Sequence, residues 1–231
     1  MLKLRHMALG IPTANTWLHA QLAHAPDAPG LILVLDIPNP PGREHLASLG
    51  QQWASRLQRQ GYATLCARLL GADELARDPD QMYGIPLLAQ RLAGLLTWLG
   101  HQAFLNTLPL ALLSQHTFNA AALRVLAQTP RPDCLICLGS QAGLAGRVAL
   151  QELTTPCSWI TSRHDPALAA QLHALEHLQV PYSLLLAEQP DSAPPGEGLI
   201  PGPGCPGVWE QVADWLKTHL PERQLPLRSI A

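Results

Sequence analysis

A chain of 231 residues with 47% hydrophobic content can bury one sizeable core, and α/β domains of this length often stay undivided, so residues 1–231 read as a single domain. Fifteen basic and seventeen acidic residues are spread along it for a formal charge of −2, which leaves no basic stripe to neutralise phosphates and argues against a nucleic-acid partner. The first ten residues mix Lys3, Arg5 and His6 among apolar side chains without a continuous apolar run, so neither a signal peptide nor a membrane span is read there and a cytoplasmic location is the expectation.

In chain order, residues 2–9 and 16–23 read as an entering antiparallel strand pair. Residues 31–35 form an unbroken aliphatic run between Pro29-Gly30 and a proline-rich stretch, as a strand buried on both faces requires. The same signature returns at 63–69, 108–114, 134–139, 157–161 and 182–186. Between these runs, residues 46–60, 86–100, 117–128, 166–178 and 208–220 place apolar side chains three and four apart, the spacing of helices that cover a sheet. Residues 78–83 read as a polar connection, 190–206 as a long loop rich in proline and glycine, and 221–231 as a loosely held tail. Alternation of this kind predicts a three-layer α/β/α sandwich with a mostly parallel sheet.

One junction carries a chemical signature. The strand 109–113 runs into Ser114-Gln115-His116-Thr117-Phe118-Asn119 and at once into an alanine-rich helix, a strand-turn-helix of the kind that presents a nucleophile. Upstream, Gly84-Ile85-Pro86-Leu87-Leu88-Ala89-Gln90-Arg91-Leu92 resembles the F-D-I-P-L-L-A-x-R-L stretch of the dienelactone-hydrolase-like α/β hydrolases, and residues 114–123 align without a gap on their G-A-S-T-G-A-A-A-A-L elbow. The resemblance implies the α/β-hydrolase fold, with about eight strands, over nearly the whole chain. It also places His116 where the family's serine nucleophile belongs, with Phe118 and Ser114 replacing the elbow glycines. The family's H-G-S-G-type oxyanion turn corresponds to Leu35-Asp36-Ile37-Pro38-Asn39-Pro40, where prolines remove N–H donors. Its catalytic histidine corresponds to the stretch Gln189-Pro190-Asp191-Ser192-Ala193, and no histidine lies between His177 and His219. Arg163-His164-Asp165-Pro166 resembles the family's R-D-P, so Asp165 is the carried-over carboxylate.

His173-Ala174-Leu175-Glu176-His177 matches H-x-x-E-H, yet sits on a covering helix beside a strand and reads as a solvated Glu/His face rather than a metal site. Cys134 and Cys137 spell C-x-x-C inside an apolar strand, where residues three apart point to opposite faces, so they and the remaining three cysteines read as reduced structural thiols. Gly139-Ser140-Gln141-Ala142-Gly143 reads as a strand-end turn. No metal or cofactor is called for. With nucleophile, base and oxyanion turn all replaced, the first expectation is a non-catalytic α/β-hydrolase-fold protein acting as a subunit, scaffold or ligand-binding module. Its partner would be another protein, a second copy of the chain, or a small molecule in the old cleft, partly filled by Phe118, Pro38 and Pro40. The alternative is a hydrolase of altered mechanism, acting on ester or lactone bonds through a His116–Asp165 dyad.

Overall fold

The computed structural model describes residues 4–39, 42–43, 45–129, 131–188 and 200–222. Strands β1 (Arg5–Pro12) and β2 (Trp17–His24) form the expected antiparallel pair, with Arg5 opposite His24 and Pro12 opposite Trp17. Then come β3 (Leu31–Asp36), β4 (Ala63–Arg68), β5 (Leu110–Gln115), β6 (Cys134–Leu138), β7 (Cys157–Ser162) and β8 (Tyr182–Ala187). They lie in one eight-stranded sheet in the order β1-β2-β4-β3-β5-β6-β7-β8, parallel from β4 to β8. The two runs expected to share a parallel ladder do so, Leu31 opposite Leu110 and Val34 opposite Leu113.

Alternation along the strands divides the core between the two faces. Leu31, Leu33 and Leu35 pack under α3 (Ile85–Gly100), α4 (Thr117–Leu126) and α6 (Leu168–Leu175), while Ile32 and Val34 pack under α1 (Leu49–Arg59) and α7 (Val208–His219). The sandwich therefore has the three layers that the sequence implies. Cys137 belongs to the first cluster and Cys134 to the second, so the two sulfurs diverge across the sheet. Burial pushes the Cys134 and Cys157 thiols up to about 12, leaving neither available as a thiolate at neutral pH. Helix α1 starts on a capping box: Ser48 Oγ accepts from the Gln51 amide and Gln51 Oε1 accepts from the Ser48 amide. Among the described residues no helix is long and apolar enough to cross a membrane.

Two six-residue helices, α2 (Ala72–Arg77) and α5 (Arg147–Glu152), escape a reading by periodicity because they span under two turns. Helix α2 is tied down from a distance. The Arg91 guanidinium on α3 donates to both carboxylate oxygens of Glu74, at 2.9 and 2.6 Å, and to the Leu69 carbonyl at 2.7 Å, while Glu74 Oε2 also accepts from the Gly71 amide at 2.8 Å. The arginine of the I-P-L-L-A-x-R-L stretch thus locks the β4–α3 connection rather than facing a substrate. Arg91 foremost holds the Glu74 carboxyl below its ordinary value, so this contribution is present above the unfolded-state value of 4.5 and is lost as pH falls through the lower folded one. Arg91→Met should cost about 2 kcal/mol in urea unfolding at pH 7, by orphaning a half-buried carboxylate and the Leu69 carbonyl. The loss should shrink at pH 3.5, and an equal loss at both values would contradict this account.

Candidate functional site

Strand β5 ends at Gln115, helix α4 begins at Thr117, and the reversal between them falls on the single residue His116, at φ 53° and ψ −131°. A side chain at positive φ with this ψ costs on the order of 1–3 kcal/mol and persists only where the surroundings over-determine it. Here they do. The His116 amide donates to the Leu138 carbonyl at the end of β6 at 3.0 Å, and the His116 carbonyl accepts from the Asn119 amide at 3.1 Å. The fully buried Asn119 side chain donates to the carbonyls of Leu138 and Ser140, each at 3.0 Å, and accepts from Ser114 Oγ. Gln115 Nε2 reaches across to the Leu35 carbonyl at 3.1 Å. The elbow is thus built as an elbow, although its central residue is an imidazole.

That imidazole is half-buried and its Nδ1 has no hydrogen-bond partner. The Tyr83 ring meets it edge-on, with centroids 6.1 Å apart. Burial holds the His116 pKa below the ordinary histidine value, with the Asp165 charge opposing that shift, so the ring is neutral at pH 7. Asp165, just beyond β7, is itself fully engaged. One oxygen accepts from Ser140 Oγ and from Thr161 Oγ1 at 3.3 Å, and the other accepts from the Ala167 amide at 2.8 Å. The two residues singled out from the sequence thus reach the same end of the sheet and sense each other electrostatically, with no hydrogen bond between them. Ser140, beyond the end of β6, is the side chain that takes up this carboxylate oxygen with Thr161. It follows Gly139 at φ 77° and precedes Gln141 at φ 85°, a contorted turn at the end of β6 whose part in the site no spacing rule revealed.

The remaining expected parts fall as follows. Phe118 is fully buried in the core on the α3, α4 and α6 face, and Pro38 is buried at the turn after β3. Pro40 and the Gln189–Ala193 stretch lie outside the described residues. Asp36, the last residue of β3, lies against Gly50 at the start of α1 and pairs with Arg68 Nε at the end of β4 at 3.0 Å, and burial raises its carboxyl above the ordinary value. Cavities of about 680 and 540 Å³ are present elsewhere, and neither is lined by His116 or Asp165. His173 and Glu176 are exposed and contact each other at 3.2 Å, with His177 beyond the end of α6. Among the described residues no group of three His, Cys, Asp or Glu side chains is placed to hold a metal.

The fold is shared with known hydrolases. A dienelactone hydrolase from Anabaena variabilis superposes with a TM-score of 0.78 at 26% identity, covering 94% of this chain and 99% of that one. A cold-adapted esterase from an Arctic intertidal metagenomic library matches in fold at a TM-score of 0.67 and 15% identity, covering 96% of each chain. No protein-family model matches the chain, and no curated protein does. The eight-stranded, mostly parallel sheet with helices on both sides is the α/β-hydrolase fold of these dienelactone-hydrolase and esterase neighbours.

The strain at position 116 has a measurable consequence. Glycine adopts this backbone without penalty, so His116→Gly should raise stability by about 1 kcal/mol in urea unfolding at pH 7.5. Because His116 binds its proton less readily folded than unfolded, its own contribution is complete above the unfolded-state value of 6.5 and declines as pH falls through the lower folded value. The glycine variant should therefore gain further on the wild type at pH 5.5. A destabilised glycine variant would mean that the imidazole, not the backbone, holds the turn together.

Proposed function

We propose that this α/β-hydrolase-fold chain is non-hydrolytic and works as a subunit, scaffold or ligand-binding module, its elbow kept for architecture. The observation that carries this reading is the state of the carboxylate at the acid position. Asp165 spends its acceptors on Ser140, Thr161 and Ala167, while the imidazole at the nucleophile position stays neutral with Nδ1 unpartnered. A serine mechanism needs nucleophile, base and oxyanion donors acting together, and removing one member already forfeits most of the acceleration. Position 116 offers no hydroxyl, and the turn after β3 carries the donor-less Pro38. The activities named for the structural neighbours therefore do not pass to this chain by fold alone.

A second reading has its own support: an imidazole held at a strained elbow with a bare nitrogen, near a carboxylate, resembles a base waiting for water. In that reading His116 and Asp165 form a dyad acting on an ester or lactone. It requires Asp165 to leave Ser140 and turn toward the ring.

The two readings separate in one assay. Wild type and His116→Ala should hydrolyse 4-nitrophenyl acetate at the same slow rate, set by surface histidines and without a burst. Fast turnover abolished by His116→Ala would establish the dyad instead. Restoring the hydroxyl should not help: His116→Ser should remain unlabelled by a fluorophosphonate probe, and stoichiometric labelling would reveal a base that activates position 116.

A further inference from the structure

At the opposite end of the sheet from the elbow, α3 and α4 part over a cavity of about 680 Å³, within the range that encloses small organic ligands. Leu31 and Leu110, the first residues of β3 and β5, form part of its floor. This floor therefore lies about 20 Å from His116, the length of the strand between them, and the hollow extends from it along α3 toward Pro86. The hollow has a sequence cause. Ala89 and Ala93, one turn apart on α3, present methyl groups where larger side chains would close the gap, and Leu96 and Val125 complete an apolar wall.

The charged side chains that line this wall are of one sign, and the nearby Asp133 carboxylate is taken up by the Leu110 amide at 2.8 Å. Among the described residues that line it there are two arginines, Arg124 and Arg131, and no carboxylate, in a chain that carries a net charge of −2. Both guanidiniums are fixed. Arg124 Nε donates to the Ala145 carbonyl at 2.9 Å and Nη2 to the Leu144 carbonyl at 3.3 Å. Arg131 Nη1 donates to the Asn106 carbonyl at 3.2 Å and to Asn106 Oδ1, and Nη2 to the Leu108 carbonyl at 3.0 Å. Among the described residues these bonds leave the Nε–H and one Nη2–H of Arg131 without an acceptor. A guanidinium held in place by its other donors loses little freedom on meeting a planar anion. Amide and hydroxyl groups of Gln128 and Thr129 stand at the same rim.

We propose that this cavity is a binding site for a small amphipathic carboxylate, its hydrocarbon body against Leu96, Leu110 and Val125 and its carboxylate on Arg131. The site is independent of the elbow: it uses none of the residues placed there, and its occupancy stands or falls separately from whether His116 is catalytic.

The test titrates the intact protein with octanoate, 1-octanol and octylammonium, followed by calorimetry and by amide chemical shifts. Octanoate should bind at least about tenfold more tightly than octanol, and octylammonium should not bind measurably, because only the carboxylate satisfies the arginine. The shifts should fall on α3 and α4 around Leu96 and Val125, not on Thr117. Arg131→Gln should remove the preference for octanoate over octanol. Ala93→Phe, at an exposed rim position where the fold has room, should abolish binding of both, with a melting temperature close to wild type. Equal affinity for octanoate and octanol, or octanoate binding that survives both substitutions, would overturn the assignment. So would shifts centred on the elbow.

Discussion

The chain must reverse from β5 into α4 within one residue, and this architecture leans on a buried asparagine to make it do so. Asn119 bonds simultaneously to Ser114 on β5 and to the Leu138 and Ser140 carbonyls at the end of β6. Two strand ends and a helix start are thereby joined through one fully buried amide, which would be expensive to leave unsatisfied. The positive φ at His116 follows from that clamp. So does the placement of Ser140, whose backbone is held by Asn119 and whose hydroxyl consequently reaches Asp165.

The elbow keeps its shape with an imidazole at its centre because its geometry is enforced from outside position 116. In an active hydrolase the turn exposes a hydroxyl, the acid orients a histidine, and backbone amides receive the oxyanion. Here the turn exposes a ring made neutral by burial, and the acid is bound by hydroxyls from the ends of β6 and β7. Ser140 and Thr161, together with the Ala167 amide, satisfy a buried carboxylate, a stabilising arrangement that needs no imidazole. The polar cluster is internally consistent as a structural joint.

Much of this architecture was legible in the sequence because aliphatic runs as short as 31–35, bounded by Pro29-Gly30 and a proline-rich stretch, fit a doubly covered strand, and the elbow's strand-turn-helix passage is visible in its composition. Helices α2 and α5 were not legible, since six residues carry too little periodicity and α2 is fixed by Arg91 from a helix further along. The partners of the site residues were less legible than their places in the chain. His116 and Asp165 do come to one end of the sheet, but nothing local marks Ser140 as the group that takes the carboxylate. That bond depends on the register of β6 against β7, a tertiary fact. Tyr83, placed in a polar connection by sequence, comes back to lie against the His116 ring for the same reason.

The central claim is that Asp165 is coupled to Ser140 and not to His116, and paired double-mutant cycles on folding stability at pH 8 test it most directly. The Ser140→Ala and Asp165→Asn cycle should return a coupling energy of about 1–2 kcal/mol, as a buried hydroxyl–carboxylate bond provides. The His116→Ala and Asp165→Asn cycle should return less than about 0.5 kcal/mol, the level of groups that share no bond. A large His116–Asp165 coupling beside a negligible Ser140–Asp165 one would contradict the account and make the pair a dyad.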